Sequence, residues 1–134
     1  FDPSQSVDVS TAIDMAIDGD IFVLLSDGTI DRFRAGKKLK FQIRGLDRPI
    51  SKATRIYTDV EAESIYIVDD GNDRIVEIDK RDGNEGVFVR QFLYRGADNF
   101  FGDIRAISVS ELQGRLLILG VGSLRQFVLP KRVQ

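Results

Sequence analysis

Asp69-Asp70-Gly71-Asn72-Asp73 places three carboxylates and a carboxamide within one short stretch of the chain. Oxygen donors that alternate ahead of a glycine suggest a calcium loop, but such a loop needs its glycine at a fixed place and a closing Glu. Here the glycine is misplaced and no Glu follows at the right spacing. The segment therefore reads as a β-turn in which Gly71 and Asn72 accept positive φ and the Asp side chains cap backbone N–H groups. Arg74 follows the turn. Its guanidinium suits a structural pair with Asp59 or Asp69 better than a ligand phosphate. Asp14, Asp18 and Asp59 fall near strand ends, where carboxylates satisfy turn backbone.

The rest of the chemical inventory is narrow. The chain has no Cys and no His, which removes disulfides, thiolate zinc sites, the cysteine nucleophile and the commonest general base. Any catalysis would fall to carboxylates, Lys, Tyr, Ser or a hard metal ion, and no convergent set of these is visible. No cofactor is expected. Lys plus Arg number 19 against 21 Asp plus Glu, a net charge of −2, the wrong sign for a general phosphate-backbone binder. The longest apolar runs, Ile21 to Leu25 and Leu116 to Leu119, are of strand length, far short of the ~20 residues of a membrane helix. The opening FDPSQSVDVS lacks both the basic and the apolar region of a signal peptide, and Phe1 reads as a cut.

These residues must be positioned by strands. Ile21 to Phe33, Ile65 to Asp79 and Leu116 to Pro130 each read as an apolar strand, a Gly-containing turn and a second strand. Each follows another short strand, at Ala12 to Asp18, Ala53 to Val60 and Ile104 to Ser110. Separations of 44 residues from Ile21 to Ile65 and 51 from Ile65 to Leu116 match the roughly 40–50 residues of a propeller blade. The chain is expected to be all-β, a single segment over 1–134 with four-stranded blades at about 12–44, 53–94 and 104–130 and residues 1–11 as a lead-in. The first blade takes a single outer strand over 38–44, and Asn84-Glu85-Gly86 lengthens the last hairpin of the second. The third blade lacks its outer strand.

Three blades cannot close a ring. A terminal blade is completed when the other terminus supplies its outer strand, which removes free edges. By register Phe1 falls where such a strand ends, so the donor lies upstream. Alternatively Val7 and Val9 form a short strand that pairs with a third blade. The segment is expected to be half of a six-bladed ring, completed by a second copy of the chain or by further blades of a longer one.

Ile65 to Phe92 resembles the NHL family of propeller repeats in Asp69, Gly71, Asn72, Arg74, Ile75, Asp79, Lys80, Gly83 and Phe88 to Phe92. The first and third blades depart from that pattern. The resemblance implies a propeller fold, and it permits RNA binding as in some family members; it does not fix a function.

In propellers the inter-blade loops and the middle hairpin turns share one face, often the binding face. Gly45 to Lys52 and Gly96 to Asp103 are the two inter-blade loops. Partner-binding candidates on that face are Arg48, Lys52, Asp70, Asn72, Asp73, Asn99 and Phe100. Of Phe100 and Phe101, one plugs the blade interface and the other is exposed. The basic run Arg34, Lys37, Lys38, Lys40 and Arg44 reads as a solvated edge that discourages strand pairing, without the aromatic platform that single-stranded RNA binding uses. The leading functional expectation is a non-enzymatic interaction or scaffolding module. The alternatives are a metal-dependent lyase or lactonase whose channel site is completed by missing blades, and an RNA binder.

Overall fold

The computed structural model describes residues 10–94, 96 and 100–132. The strand expected around Val7 and Val9, and Asn99, lie outside them. The described residues form three sheets. The first holds β1 (Ala12–Ile17), β2 (Ile21–Leu25), β3 (Ile30–Arg34) and β4 (Lys37–Leu39), an antiparallel meander. The second runs in the order β5 (Gln42–Arg44), β9 (Glu85–Leu93), β8 (Arg74–Asp79), β7 (Ser64–Asp69) and β6 (Ala53–Tyr57). The third is β10 (Ala106–Ser110), β11 (Arg115–Gly120) and β12 (Ser123–Val128). β1 of the first sheet and β6 of the second share a register shift at the same place, between Ala12 and Asp14 and between Ala53 and Arg55.

The outer strand expected over 38–44 is two strands, not one. Arg34 pairs with Lys37 around Ala35 and Gly36, whose φ values of 51° and 81° make a tight reversal. β4 then stops at Leu39, and β5 leaves for the second sheet, where it pairs parallel to β9 from Gln42↔Glu85 to Arg44↔Val87. Phe41 sits at the crossing and packs into the cluster between the two sheets. Its ring packs edge-on against Phe22 at 5.5 Å between centroids, and a side chain on Gly86 would strike both Ile78 and this ring, with a Cβ 2.9 Å from Phe41 Cζ. Glu85 and Gly86 lie beyond the last β8–β9 pair, Asp79↔Val87, so they lengthen that connection as expected and also extend β9 to seat β5.

The sheets stack face to face. One apolar cluster lies between the first and second, with Phe22, Leu24 and Ile30 against Ile56, Ile65, Ile67, Val76 and Ile78. Another lies between the second and third, with Tyr66, Val68 and Ile75 against Ile107, Val109, Leu116 and Ile118. The second sheet is covered on both faces, and so every residue of β7 is buried. Polar stitches cross both junctions. The Ile56 N–H donates to Asp14 Oδ2 at 2.9 Å, Lys80 Nζ to Asp18 Oδ2 at 2.5 Å, and Arg55 Nε to the Arg105 carbonyl at 2.7 Å. Glu111 of the third sheet's first hairpin accepts from the backbone N–H groups of Glu63 and Ser64 and from the Tyr66 hydroxyl.

Candidate functional site

Asp69 ends β7 with no exposed surface, and a carboxylate so placed must be fully bonded to remain ionised. Its Oδ1 accepts from the N–H groups of Ser51 and Lys52, at 3.1 and 3.0 Å. Its Oδ2 accepts from Asn72 Nδ2 at 2.8 Å and Arg74 Nε at 3.0 Å. Burial pushes the carboxyl up, but the Lys52 N–H, the Asn72 amide and Arg74 together hold it below its ordinary range. Arg74, also fully buried, spends its other nitrogens on Asp47 Oδ1 at 2.7 Å, Gln91 Oε1 at 3.1 Å and the Arg48 carbonyl at 2.8 Å. Asn72 Nδ2 also donates to the Pro49 carbonyl at 3.0 Å. These bonds fix the inter-sheet loop 45–52 against the turn that joins β7 to β8.

The turn differs from its expected form. Asp70–Asn72 is a single 3-10 turn, and the left-handed residue is Asp73, at φ 51°. Gly71 is required by space instead. A Cβ there would collide with the Ser51 side chain and stand 3.0 Å from the Lys52 nitrogen.

Arg48, Lys52, Asp70, Asn72 and Asp73 are thus brought to one patch, although in different roles. Asn72 is committed to the clamp. Lys52 Nζ lies 3.5 Å from Asp70 Oδ2, and Arg48, Lys52 and Asp73 are exposed. Phe100 does not join them. It is 8% exposed and Phe101 is 5% exposed, so the expectation of one exposed aromatic is corrected. Both rings fill the space between the second and third sheets with Tyr94 and Phe127, because that junction needs the volume. Beside the patch, a groove of about 340 Å³ is lined by Gly28, Phe41, Ile43, Leu46, Pro49 and Ile50.

The basic run is largely occupied. Arg34 pairs with Asp20 at 2.8 Å, Lys38 with Asp31 at 3.3 Å and Arg44 with Glu85 at 3.2 Å. Lys37 and Lys40 are exposed. Two buried ion networks escaped the sequence reading. Arg32 and Arg34 both donate to Asp20, and Glu77 accepts from Arg90 Nε at 2.7 Å and Ser64 Oγ at 2.8 Å. A Glu inside the apolar run Arg74-Ile75-Val76-Glu77-Ile78 was the available signal, since a carboxylate in a strand buried on both faces requires a cation. Burial and the bond to Glu111 push the Tyr66 phenol up, which keeps it protonated as a donor and unfit as a base. Among the described residues no group of three or more Asp or Glu side chains is placed to hold a metal ion.

Hsv2 of Kluyveromyces lactis, a β-propeller, superposes with a TM-score of 0.59 at 10% identity, covering 92% of this chain. The fold is propeller-like. A K. lactis Hsv2 structure with complete loop 6CD gives a TM-score of 0.60 at 9% identity, again over 92% of this chain. A KlHsv2 form with loop 6CD replaced by a Gly-Ser linker gives 0.57 at 10% over the same share. The chain spans 35–38% of the length of those structures. No family model matches the chain, and no curated protein matches it in sequence.

Proposed function

We propose that this chain is a propeller segment that acts as a non-enzymatic interaction module, binding a protein partner through the loop face at Arg48, Lys52, Asp70 and Asp73. The clamp around Asp69 and Arg74 carries the reading. It orders two loops into one polar patch before any partner arrives, which lowers the entropy lost on binding. The patch presents both signs of charge, which suits a protein surface better than a polyanion. Asn72 serves this face by holding it, and no role is assigned to Phe100.

The blade architecture supports a segment of 1–134 that contributes three blades to a six-bladed ring. The NHL-type pattern from Asp69 to Phe92 belongs to the second blade only. Ring completion by a second copy or by blades of a longer chain is part of this proposal.

The test is quantitative affinity capture from a lysate of the source organism with three baits. They are the unmodified chain, Arg48→Glu with Lys52→Glu, and an outer-edge control, Lys37→Glu with Lys40→Glu. A protein retained by the first and third baits but lost from the second is the expected result. Retention that is blind to the loop pair contradicts the loop-face reading. RNA retained by the unmodified chain, lost with the edge pair and falling steeply with salt favours the nucleic-acid alternative instead.

A further inference from the structure

The register of each sheet defines two apolar triplets. Toward the following sheet point Phe22, Leu24 and Leu24's cross-strand partner Ile30 in the first, and Tyr66, Val68 and Val68's partner Ile75 in the second. At the same register positions the third sheet has Leu117, Leu119 and Leu119's partner Leu124. Toward the preceding sheet point Ile65, Ile67 and Ile67's partner Ile56 in the second, and Leu116, Ile118 and Ile118's partner Ile107 in the third. The first sheet has Ile21, Val23 and Val23's partner Met15 there.

In the two closed junctions all twelve of these residues are 9% exposed or less. The two open triplets keep the apolar types, and although Val23 is 9% exposed and Leu117 half-buried, their other members are open. Leu119 and Leu124 are 45% and 69% exposed, and Met15 and Ile21 are 59% and 38% exposed. Val128 enlarges the first open face, and Ile13 and Ile17 the second. β2 (IFVLL) and the LLIL core of β11 are continuous apolar runs, the pattern of strands covered on both faces. An apolar surface of this kind marks a contact.

We propose that the two open faces are the halves of a third junction of the same design, formed between two copies of this chain. The Leu117, Leu119 and Leu124 face of one copy packs on the Met15, Ile21 and Val23 face of the other. The reciprocal junction forms across the two-fold axis, bringing six sheets into one closed ring. The occupant is a second copy because the chain itself carries both complementary halves, each continuous in register with an interface already formed. The inference rests on the propeller reading of the three sheets and is independent of the loop face.

Two double variants test it by light scattering coupled to size exclusion. Leu119→Asp with Leu124→Asp removes one half, and Met15→Asp with Ile21→Asp removes the other. The unmodified chain is expected at twice its 15.0 kDa. Each variant alone is expected as a monomer with unchanged circular dichroism, its self-association weakened by roughly 100-fold or more by charges placed in an apolar contact. Mixed one to one, the two variants keep one intact junction and are expected to return to the dimer mass. A dimer that mixing fails to restore would overturn the pairing in favour of like faces. A monomeric unmodified chain would assign the faces to blades of a longer chain, and a mass that grows without limit would replace the closed ring by an open array. Loss of the β spectrum in both variants would overturn the assignment of these positions to outer faces, while the loop-face capture test stands or falls separately.

Discussion

Asp69 and Arg74 show what a buried ion pair does at one end of a strand. The guanidinium neutralises a carboxylate that has no contact with water, and its remaining nitrogens tie down Asp47 and the Arg48 carbonyl. Arg74→Leu is expected to lower stability in urea titration by about 3–5 kcal/mol, because it strands the Asp69 charge. A loss under 1 kcal/mol would show the pair to be dispensable. Gly71→Ala is expected to cost about 1–3 kcal/mol through overpacking against Ser51 and the Lys52 nitrogen. Its signature is faster amide exchange at Ser51 and Lys52; unchanged exchange there would contradict the clamp. Acid sensitivity follows from the same kind of residue. The Arg34 bond foremost, with Arg32, holds Asp20 at about 2, and at Asp79 burial opposes but Arg81 and Arg132 outweigh it, again at about 2. Both folded-state values lie below those of the unfolded chain, so their stabilisation is complete above about pH 4 and fades as pH falls toward 2. Melting temperature measured from pH 5 to 2 should fall, and fall less in Asp20→Asn; a flat profile would contradict this.

β5 is the element that sequence pattern misplaces. Leu39, Phe41 and Ile43 alternate without interruption, so nothing local separates β4 from β5. The break comes from a contact distant in sequence, where the Phe41 ring finds the bare backbone of Gly86 and the edge of Phe22. Gly86→Val should close that seat while also pressing on Ile78 of β8, cost about 1–3 kcal/mol and speed exchange of the Gln42–Arg44 amides. Protection of β5 equal to that of β8 would contradict the seat. The turn at 70–73 teaches the same lesson, since Gly71 invites positive φ by its type but is needed for the approach of Ser51, while Asp73 takes the left-handed conformation. The strands themselves, by contrast, were readable from alternation and turn residues. Asp69 was one of two partners the sequence offered Arg74, with Asp59 the other, and its second carboxylate, Asp47, was not legible because it lies 27 residues away on the 45–52 loop.

For the molecule as a whole, the repeat near 44–51 residues carries the propeller-like architecture, and the apolar runs IFVLL, SIYIVD and LLILG carry the stacking. The chemistry of the face was less legible. Which polar groups remain exposed depends on the clamp, and the burial of Phe100 depends on the volume between two sheets, neither of which is local in sequence. The stacking account makes the second sheet, with β7 and β8 at its centre, covered on both faces and leaves the outer faces of the flanking sheets as halves of another junction. Hydrogen exchange read by mass spectrometry at two concentrations of the unmodified chain, about 100-fold apart, tests this most directly. The account predicts that β7 and β8 exchange slowest at both concentrations. It also predicts that β1, β2, β11 and β12 gain protection as concentration rises while the loop 45–52 does not. Protection in β1 and β12 that is indifferent to concentration, or β7 and β8 exchanging as fast as the flanking strands, would contradict it.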